Sequence, residues 1–265
     1  MNNYFTYNID CDLPSDAFRI SPSQISKFLD TTSEWYRTQL LGEPSSFEKS
    51  TSSELGTCLH AAAHMYFDTA TVDKPAIQNY ISALGPDIDK SIITAQLKPM
   101  SECLINQFIA PNRSILTEAE KFISYEVAPG IYAAGTLDVW SRHRKTIYDY
   151  KSIGSLDSAR IPTSFPRNYW FQQQLYAWIM RKLGYQIDYL TLVYVTRANT
   201  GRVSEKTGKP LQDYPSECHL LTESVTPESQ TIIEGLVHLI AESVQLFQSN
   251  PEYRHLLMQD YRYKL

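Results

Sequence analysis

Three segments in the middle of the chain carry the apolar and polar spacing of β-strands. Residues 121–128, 131–141 and 145–153 are rich in β-branched and aromatic side chains, which favour strands. A Pro-Gly pair at 129–130 and a basic stretch at 142–144 separate them, and both compositions are typical of turns. The pattern therefore predicts a three-stranded meander.

Longer segments on either side repeat apolar residues at helical spacing. Residues 53–67 form an Ala-rich run, and residues 168–184 end with Lys and Arg followed by Gly, a common helix C-terminus. Residues 226–249 begin at Thr-Pro-Glu and stop before Asn-Pro, which predicts a long amphipathic helix. Residues 187–197 are almost continuously β-branched and aromatic, as expected for a buried fourth strand that follows a helical crossover.

Two acids and a lysine lie on two of the predicted strands. Because side chains in a strand alternate faces, Asp149 and Lys151 share one face and Tyr150 points to the other. Asp138 lies on the preceding strand, and a tight hairpin would bring its carboxylate towards that of Asp149, although the sequence does not fix the register. Two converging carboxylates repel each other unless a hard cation neutralises them, and such ligands suit Mg²⁺ or Mn²⁺ better than Zn²⁺. The alternative is a pair of solvated acids beside a lysine, since Asp-x-Lys alone is a common pattern.

A histidine in the Ala-rich helix is a candidate metal ligand. His60 lies among small side chains that would let another segment approach closely, and a neutral imidazole can bind a metal. The alternative is a hydrogen-bonded histidine in the core. This alternative suits His64, one turn further on, better than it suits His60.

The predicted helix at 168–184 carries three consecutive glutamines before an apolar stretch. Gln172 and Tyr176 are four residues apart and share a face, where an amide and a phenol could hold a phosphate backbone or orient a catalytic carboxylate. The alternative is an aromatic core helix, which is the favoured interpretation for Trp170, Phe171 and Trp178.

The order of four short motifs resembles the RecB-like branch of the PD-(D/E)XK nuclease superfamily, and within it most of all the phage and prophage exonucleases of the RecE type. The motifs are Gly56-x3-His60, Gly135-x2-Asp138, Asp149-x-Lys151 and Gln172-x3-Tyr176. Residues 20–29, which predict a Ser-capped amphipathic helix, also resemble the start of such nucleases. The resemblance implies an α/β fold with a restriction-endonuclease-like α-β-β-β-α-β core, in which helices flank a central mixed sheet, with helical elaborations.

The resemblance also implies roles for individual residues. His60, Asp138 and Asp149 would be metal ligands together with the backbone carbonyl of Tyr150. Lys151 would stabilise or activate the attacking hydroxide, next to the catalytic acids Asp138 and Asp149.

Other members of the implied site come from the neighbouring elements. Gln172 and Tyr176 would support the catalytic centre from the helix. Some relatives place a further acid on the strand before the metal-binding Asp, and here Glu126 is favoured over Glu120 for that position.

The implied activity is that of a Mg²⁺- or Mn²⁺-dependent DNA exonuclease of the recombination or repair type, of phage or prophage origin. It hydrolyses phosphodiester bonds, and a single-strand annealing protein and further copies of the chain are its candidate partners besides DNA. Two alternatives stay open: a DNA endonuclease of a defence or CRISPR-adaptation system, and a non-catalytic DNA-binding protein that retains the nuclease fold.

The charge balance constrains how DNA could bind. The formal net charge is -5, whereas nucleic-acid binders usually carry a basic surface. Loop arginines near the predicted site could nevertheless form a local patch, and the candidates are Arg142, Arg144, Arg167 and Arg197. The alternative is that these charges only keep the turns solvated.

The composition also limits which structural metal sites, cofactors and cellular locations are expected. Cysteines at positions 11, 58, 103 and 218 have no paired CxxC spacing, which argues against a zinc site and a disulfide framework. Iron–sulfur relatives use a late group of three cysteines, so that cofactor is not expected here. The chain shows no signal-peptide pattern and no apolar run of about eighteen residues, so we expect a protein of the bacterial cytoplasm without a membrane span.

The 265 residues are enough for a single nuclease domain with elaborations. Prolines at 75, 86, 99 and 111 divide the stretch after the His helix into short helical runs. The predicted subdivision is an N-terminal helical segment (1–50), the His helix (51–70), a helical insertion (71–117), the metal-binding sheet with the Gln helix (118–200), and a loop with the C-terminal helix (201–265).

Overall fold

The described residues of the computed structural model form a mixed sheet of six strands with helices on both faces. The description covers residues 4–5, 13–44, 49–155, 161–198, 203–204, 206–210, 212–250 and 252. The strands are β1 (Phe18–Ile20), β2 (Glu118–Ala128), β3 (Ile131–Ser141), β4 (Thr146–Ser155), β5 (Tyr189–Arg197) and β6 (Cys218–Ser224). The helices are α1 (Pro22–Asp30), α2 (Thr32–Leu40), α3 (Thr51–Thr69), α4 (Lys74–Ala83), α5 (Lys90–Leu104), α6 (Ala110–Asn112), α7 (Arg167–Lys182) and α8 (Pro227–Ser249).

The centre of the sheet follows the α-β-β-β-α-β order that the sequence predicts. Helix α3 precedes β2, β3 and β4, which pair as an antiparallel meander. Helix α7 then crosses over to β5, which pairs parallel to β4 along its length, as a helical connection requires. Strand β1 adds to β3 in parallel and β6 adds to β5 in antiparallel orientation. The predicted α/β fold with a central mixed sheet is confirmed.

Strand β3 has a gap in its pairing that positions the candidate site. Strand β2 covers one edge of β3 from residue 131 to residue 140. On the other edge, β1 pairs with residues 131–133 and β4 pairs with residues 139–141. Residues 134–138 therefore have no strand neighbour on that edge, so the sheet is open between β1 and β4.

Two hydrophobic clusters cover the two faces of the sheet. One contains apolar residues of α1, α2, α7 and α8, and the other contains those of α3, α4 and α5. In β5 the alternation is regular, because Leu192 packs in the first cluster and Val193 in the second. In β3, by contrast, Leu137 packs in the first cluster and Val139 in the second, although residues two apart normally share a face. The strand thus changes face at Asp138.

The region between α3 and β2 is helical. It consists of α4, α5, a π-helical turn (Ile105–Ile109) and α6. Pro99 lies inside α5, so the prediction that every proline here separates two helical runs was wrong at that position. Of the helices described, none combines the length and the apolar character needed to cross a membrane.

The cysteines described are free thiols, namely Cys58, Cys103 and Cys218, and Cys11 lies outside the described residues. The Sγ atoms of Cys103 and Cys218 lie 3.5 Å apart, which joins the end of α5 to the start of β6. Their sequence separation gave no indication of this contact.

Candidate active site

A pocket of about 280 Å³ opens at the gap in the pairing of β3. Residues from β1, α1, α3, β3, β4 and α7 line it, so the elements on both faces of the sheet meet there. The lining residues are Arg19, Ser21, Pro22, Ser23, His60, Gly135, Thr136, Asp138, Asp149, Lys151, Gln172 and Tyr176.

Asp149 and Lys151 form a buried ion pair in this pocket. The Nζ atom of Lys151 lies 2.6 Å from Oδ2 of Asp149, and the two side chains are 17% and 3% exposed. Burial raises the pKa of Asp149 to about 6, and the Asp138 charge acts in the same direction against that of Lys151. Burial alone would lower the pKa of Lys151, but the Asp149 and Asp138 carboxylates outweigh it and raise that pKa. The pocket therefore holds a lysine that stays charged at neutral pH.

Asp138 is held by the backbone of the neighbouring strand and by a histidine. The N–H of Tyr150 donates to Oδ2 of Asp138 over 2.6 Å, and Nδ1 of His60 lies 3.4 Å from Oδ1 of Asp138. Burial would raise the pKa of Asp138, but His60, Lys151 and the Tyr150 N–H together lower it. Burial would lower the pKa of His60, but Asp138 and Glu120 raise it well above its usual range.

His60 reaches this group from the opposite face of the sheet. It lies on α3, and its Nε2 atom is 3.1 Å from the backbone oxygen of Tyr150. The Tyr150 ring points away from the pocket into the cluster under α3 and α5, as strand alternation predicts. The gap in the sheet thus lets a histidine from one face approach Asp138, while α7 contacts Asp149 from the other face.

Glu120 completes the group of acids. Its neighbours in β2 pair with Val139 and Leu137, so Glu120 lies across from Asp138, and its Oε1 is 3.9 Å from Nδ1 of His60. Its φ of 47° is left-handed, which is uncommon for a residue other than glycine. Burial, followed by the charge of Asp138, raises the pKa of Glu120 to about 7, while His60 opposes the shift.

The preference for Glu126 as the further acid was wrong. Glu126 is exposed near the end of β2, and its Oε1 accepts a hydrogen bond from the N–H of Gly130 in the turn. A strand rises about 3.3 Å per residue, so six residues separate Glu126 from the position of Glu120 by roughly 20 Å. The structure places Glu120 at the pocket instead.

Helix α7 supports the site through the two residues that the sequence singled out. Nε2 of Gln172 donates to Oδ1 of Asp149 over 3.2 Å. Tyr176 is buried, and a Cβ atom on Gly135 would lie only 2.9 Å from its Cε1 and 3.0 Å from Cδ of Pro22. Only glycine fits at position 135 without displacing α1 or α7, because β3 touches both helices there.

Comparison with known proteins agrees with this geometry. The model of the PD-(D/E)XK nuclease superfamily matches residues 19–249. The chain belongs to the PD-(D/E)XK nuclease superfamily. The superfamily resemblance drawn from the four motifs is therefore confirmed, and no curated protein matches the chain.

Solved structures that match this superfamily member share little of its sequence. A crystal structure from Eubacterium rectale, described as a candidate exonuclease, has a TM-score of 0.54 and 13% identity, over 88% of this chain and 82% of that chain. A phage-related exonuclease from Haemophilus somnus 129PT gives 0.47 and 13%, over 88% and 96%. An alkaline exonuclease from Laribacter hongkongensis gives 0.35 and 14%, over 75% and 93%. At 13% identity, the similarity to the Eubacterium rectale structure supports the fold alone. The TM-scores of the other two structures are too low to add to it.

The donor atoms of the pocket fit a hard divalent cation. His60, Glu120 and Asp138 offer ligand atoms that all lie within 4.8 Å of one another. Nδ1 of His60 and Oε2 of Glu120 are buried and make no hydrogen bond among the described residues, although Nδ1 has the Asp138 carboxylate 3.4 Å away as an ionic neighbour. Such buried polar atoms are costly unless something else binds them. Carboxylate oxygens suit Mg²⁺ and Mn²⁺. Asp149 is not a member of this cluster, and its two oxygens lie next to Lys151 and Gln172.

Sequence reasoning missed the residues that β1 and the start of α1 contribute. Arg19 and the residues Ser21 to Ser23 line the pocket. The capping box of Ser21 and Gln24 could be foreseen from the Ser-x-x-Gln spacing. Arg19 could not, because β1 has three residues and shows no recognisable alternation.

The four arginines predicted to contact DNA do not line the pocket. Arg142 and Arg144 lie in the β3–β4 turn, beyond the paired end of the hairpin, and Arg142 stacks on Tyr185. Arg167 pairs with Asp30. Arg197 donates to Oγ of Ser52 over 2.9 Å. Their predicted role in DNA binding thus gains no support from the pocket.

Proposed function

We propose that the chain is a divalent-metal-dependent deoxyribonuclease that acts on DNA as an exonuclease. The observation that carries the proposal is the convergence on one pocket of the Asp149–Lys151 pair and the cluster of His60, Glu120 and Asp138. Buried charges that are not neutralised destabilise a folded protein. Three acids and a lysine buried at a gap in the sheet are therefore not expected in a protein that retains the nuclease fold without its activity. This argues against the non-catalytic alternative.

His60, Glu120 and Asp138 would hold the cation, with Asp149 and the carbonyl of Tyr150 next to them. When bound there, Mg²⁺ or Mn²⁺ would polarise the phosphate and lower the pKa of a bound water. The raised pKa of His60 means that this residue must lose its proton before it can act as a ligand, so metal binding is coupled to proton release.

The protein side of the reaction follows from the charges in the pocket. Hydrolysis forms a bond from water oxygen to phosphorus and breaks the bond to a deoxyribose oxygen. The attacking water gives up a proton to solvent and the departing deoxyribose oxygen takes one up, while negative charge builds on the phosphate. The charged Lys151 is fixed beside Asp149 and would stabilise that charge electrostatically rather than act as a base. Gln172 holds the other oxygen of Asp149 and so orients the pair.

The finer assignment rests on the order of the four motifs. We propose an exonuclease of the RecE type, of phage or prophage origin, that works in recombination or repair in the cytoplasm of a bacterial host. A single-strand annealing protein and further copies of the chain are its proposed partners. Its net charge of -5 implies that DNA is recognised by a local cationic surface at the pocket rather than by the whole protein.

One comparison of substrates tests the proposal. The purified protein is incubated with linear DNA and with covalently closed circular DNA, each with Mg²⁺ and with excess chelator. We expect Mg²⁺-dependent loss of the linear DNA alone. Loss of both substrates would support the endonuclease of a defence system instead, and loss of neither, with Mg²⁺ or with Mn²⁺, would support the non-catalytic alternative.

A further inference from the structure

One face of α7 contacts both members of the Asp149–Lys151 pair. Gln172 binds Asp149 with its amide, as described above, and Tyr169 lies three residues earlier on the same helix. The Nζ atom of Lys151 lies over the Tyr169 ring, 4.7 Å from the ring centroid. Residues three and four apart on a helix are surface neighbours, so Tyr169 extends the Gln172-x3-Tyr176 face by one turn.

The Lys151 ammonium needs such a contact to keep its position. Lysine has a flexible four-carbon stem and an ammonium without a preferred direction, and the carboxylate of Asp149 restrains it from one side. The Tyr169 ring restrains it from another, at a distance within the range of cation–π interactions. The ring itself is half-buried and packs against the cluster under α7, so it is held in place without Lys151.

We propose that Tyr169 is a positioning residue of the nuclease centre, whose ring holds the Lys151 ammonium against Asp149. The inference rests on the proposed function of the pocket. The interaction uses the face of the ring and not the hydroxyl, so phenylalanine can replace tyrosine and an aliphatic side chain cannot.

Kinetics of two variants test this on the purified full chain. Tyr169→Leu is expected to lower kcat for Mg²⁺-dependent cleavage of linear DNA about tenfold or more, with KM within about twofold, because a misplaced charge acts on the transition state. Tyr169→Phe is expected to keep at least about half of the wild-type kcat. Equal losses in both variants would assign the role to the hydroxyl, and a raised KM with an unchanged kcat would indicate direct contact with DNA. Either result would overturn the inference.

A matched control replaces tyrosine by leucine at another position where the ring lies next to a lysine ammonium. The ring of Tyr185 lies 5.6 Å from Nζ of Lys121 and does not line the pocket. Tyr185→Leu should leave kcat and KM unchanged. If it slows cleavage as much as Tyr169→Leu does, the effect is a general loss of packing and the inference fails.

A second measurement reports on Lys151 without catalysis. In NMR spectra of protein with lysine carbon-13-labelled at Cε, the signal of Lys151 is identified by its loss in Lys151→Arg. The ring current of Tyr169 should shift this signal upfield. The shift should vanish in Tyr169→Leu and persist in Tyr169→Phe. A shift that is absent from the wild type would overturn the inference. A wild-type protein that shows the shift but cleaves no DNA would overturn the proposed function and leave the Tyr169–Lys151 contact supported.

Discussion

The carboxylate of Asp138 accepts the backbone N–H of Tyr150 over 2.6 Å, just beyond the point where backbone pairing between β3 and β4 ends at Val139 and Tyr148. The side chain of Asp138 thus continues the connection between two strands that have begun to separate. Because the backbone fixes this acid, its position does not depend on a bound ion. We therefore expect substitutions of the other charged residues in the pocket to affect chemistry more than folding.

Asp149→Ala and Lys151→Ala should each abolish Mg²⁺-dependent degradation of DNA, by at least about a hundredfold, since removing one preorganised electrostatic partner has an effect of this size. Neither residue belongs to the hydrophobic clusters, so the fold should persist. Initial rates on linear DNA and circular dichroism spectra measure the two expectations. Full residual activity in either folded variant would refute the assignment of this pair.

Glu120 and Glu126 allow a matched test of the metal site. Glu120→Gln should weaken the increase in melting temperature that Mn²⁺ or Mg²⁺ gives the wild-type protein, because ligand binding stabilises in proportion to its affinity. Glu126→Gln changes the same chemical group on the same strand, far from the cluster, and should leave the increase intact. Thermal melts over a titration of each metal provide the measurement. The metal site would have to lie elsewhere if the two variants respond alike.

The metal-free protein should lose stability as the pH rises from about 4 to 7. The folded-state pKa is about 6 for Asp149 and about 7 for Glu120, whereas an unfolded carboxyl titrates near 4. The folded state therefore binds protons more tightly, and its stability falls as the pH rises through these values. The raised pKa of His60 adds stability that is complete below about 6.5 and is lost above it.

Unfolding by urea in chelator between pH 4 and 8 measures this dependence. Relative to wild type, Glu120→Gln should gain on the order of 3 kcal/mol as the pH rises through this range, because it has no charge to bury. Saturating Mn²⁺ should reduce the difference. A constant offset between the two proteins at every pH would contradict the raised pKa of Glu120.

Local periodicity was enough to predict much of the fold and of the site. The meander, the crossover helix and the shared face of Asp149 and Lys151 all follow from spacings of two and of three to four residues, which the backbone obeys over most of β4 and α7. The convergence of His60 with these elements was inferred from the order of motifs, since the sequence carries no distance between α3 and β4.

The residues that the sequence misplaced or missed depend on strand register and on contacts distant in sequence. The choice between Glu120 and Glu126 depended on which of them lies across from Asp138. Glu126 pairs with Tyr132, whereas the neighbours of Glu120 pair with Val139 and Leu137, and alternation of faces does not predict this register. Arg19 depends on a parallel pairing between β1 and residues 131–133, which is a contact distant in sequence. Arg142 was selected for its closeness in sequence to Asp138, but the strand carries it away from the pocket.

Replacement by alanine should have opposite effects on stability at the two glycines of the sequence motifs. In Gly135→Ala the new Cβ would lie 2.9 Å from Tyr176 and 3.0 Å from Pro22, so the variant should lose about 1–3 kcal/mol of stability through overpacking. In Gly56→Ala the nearest atom is Oγ of Ser152 at 4.0 Å, and alanine favours the helix by up to about 1 kcal/mol. Denaturant midpoints would measure both, and a destabilised Gly56→Ala would show that α3 needs more room beside β4 than this contact indicates.

Arg19 and Arg142 should differ in their effect on DNA binding. Arg19 lines the pocket, whereas Arg142 stacks on Tyr185 at the far end of the hairpin. Arg19→Ala should weaken binding of linear DNA and reduce the slope of log affinity against log salt by about one, because one phosphate contact is lost. Arg142→Ala should change neither quantity. Fluorescence anisotropy with Ca²⁺ in place of Mg²⁺ measures affinity, and a parallel cleavage assay checks that the DNA stays intact. An equal loss in both variants would mean that the DNA runs along the hairpin, and the basic turn at 142–144 would then regain the role that the sequence suggested.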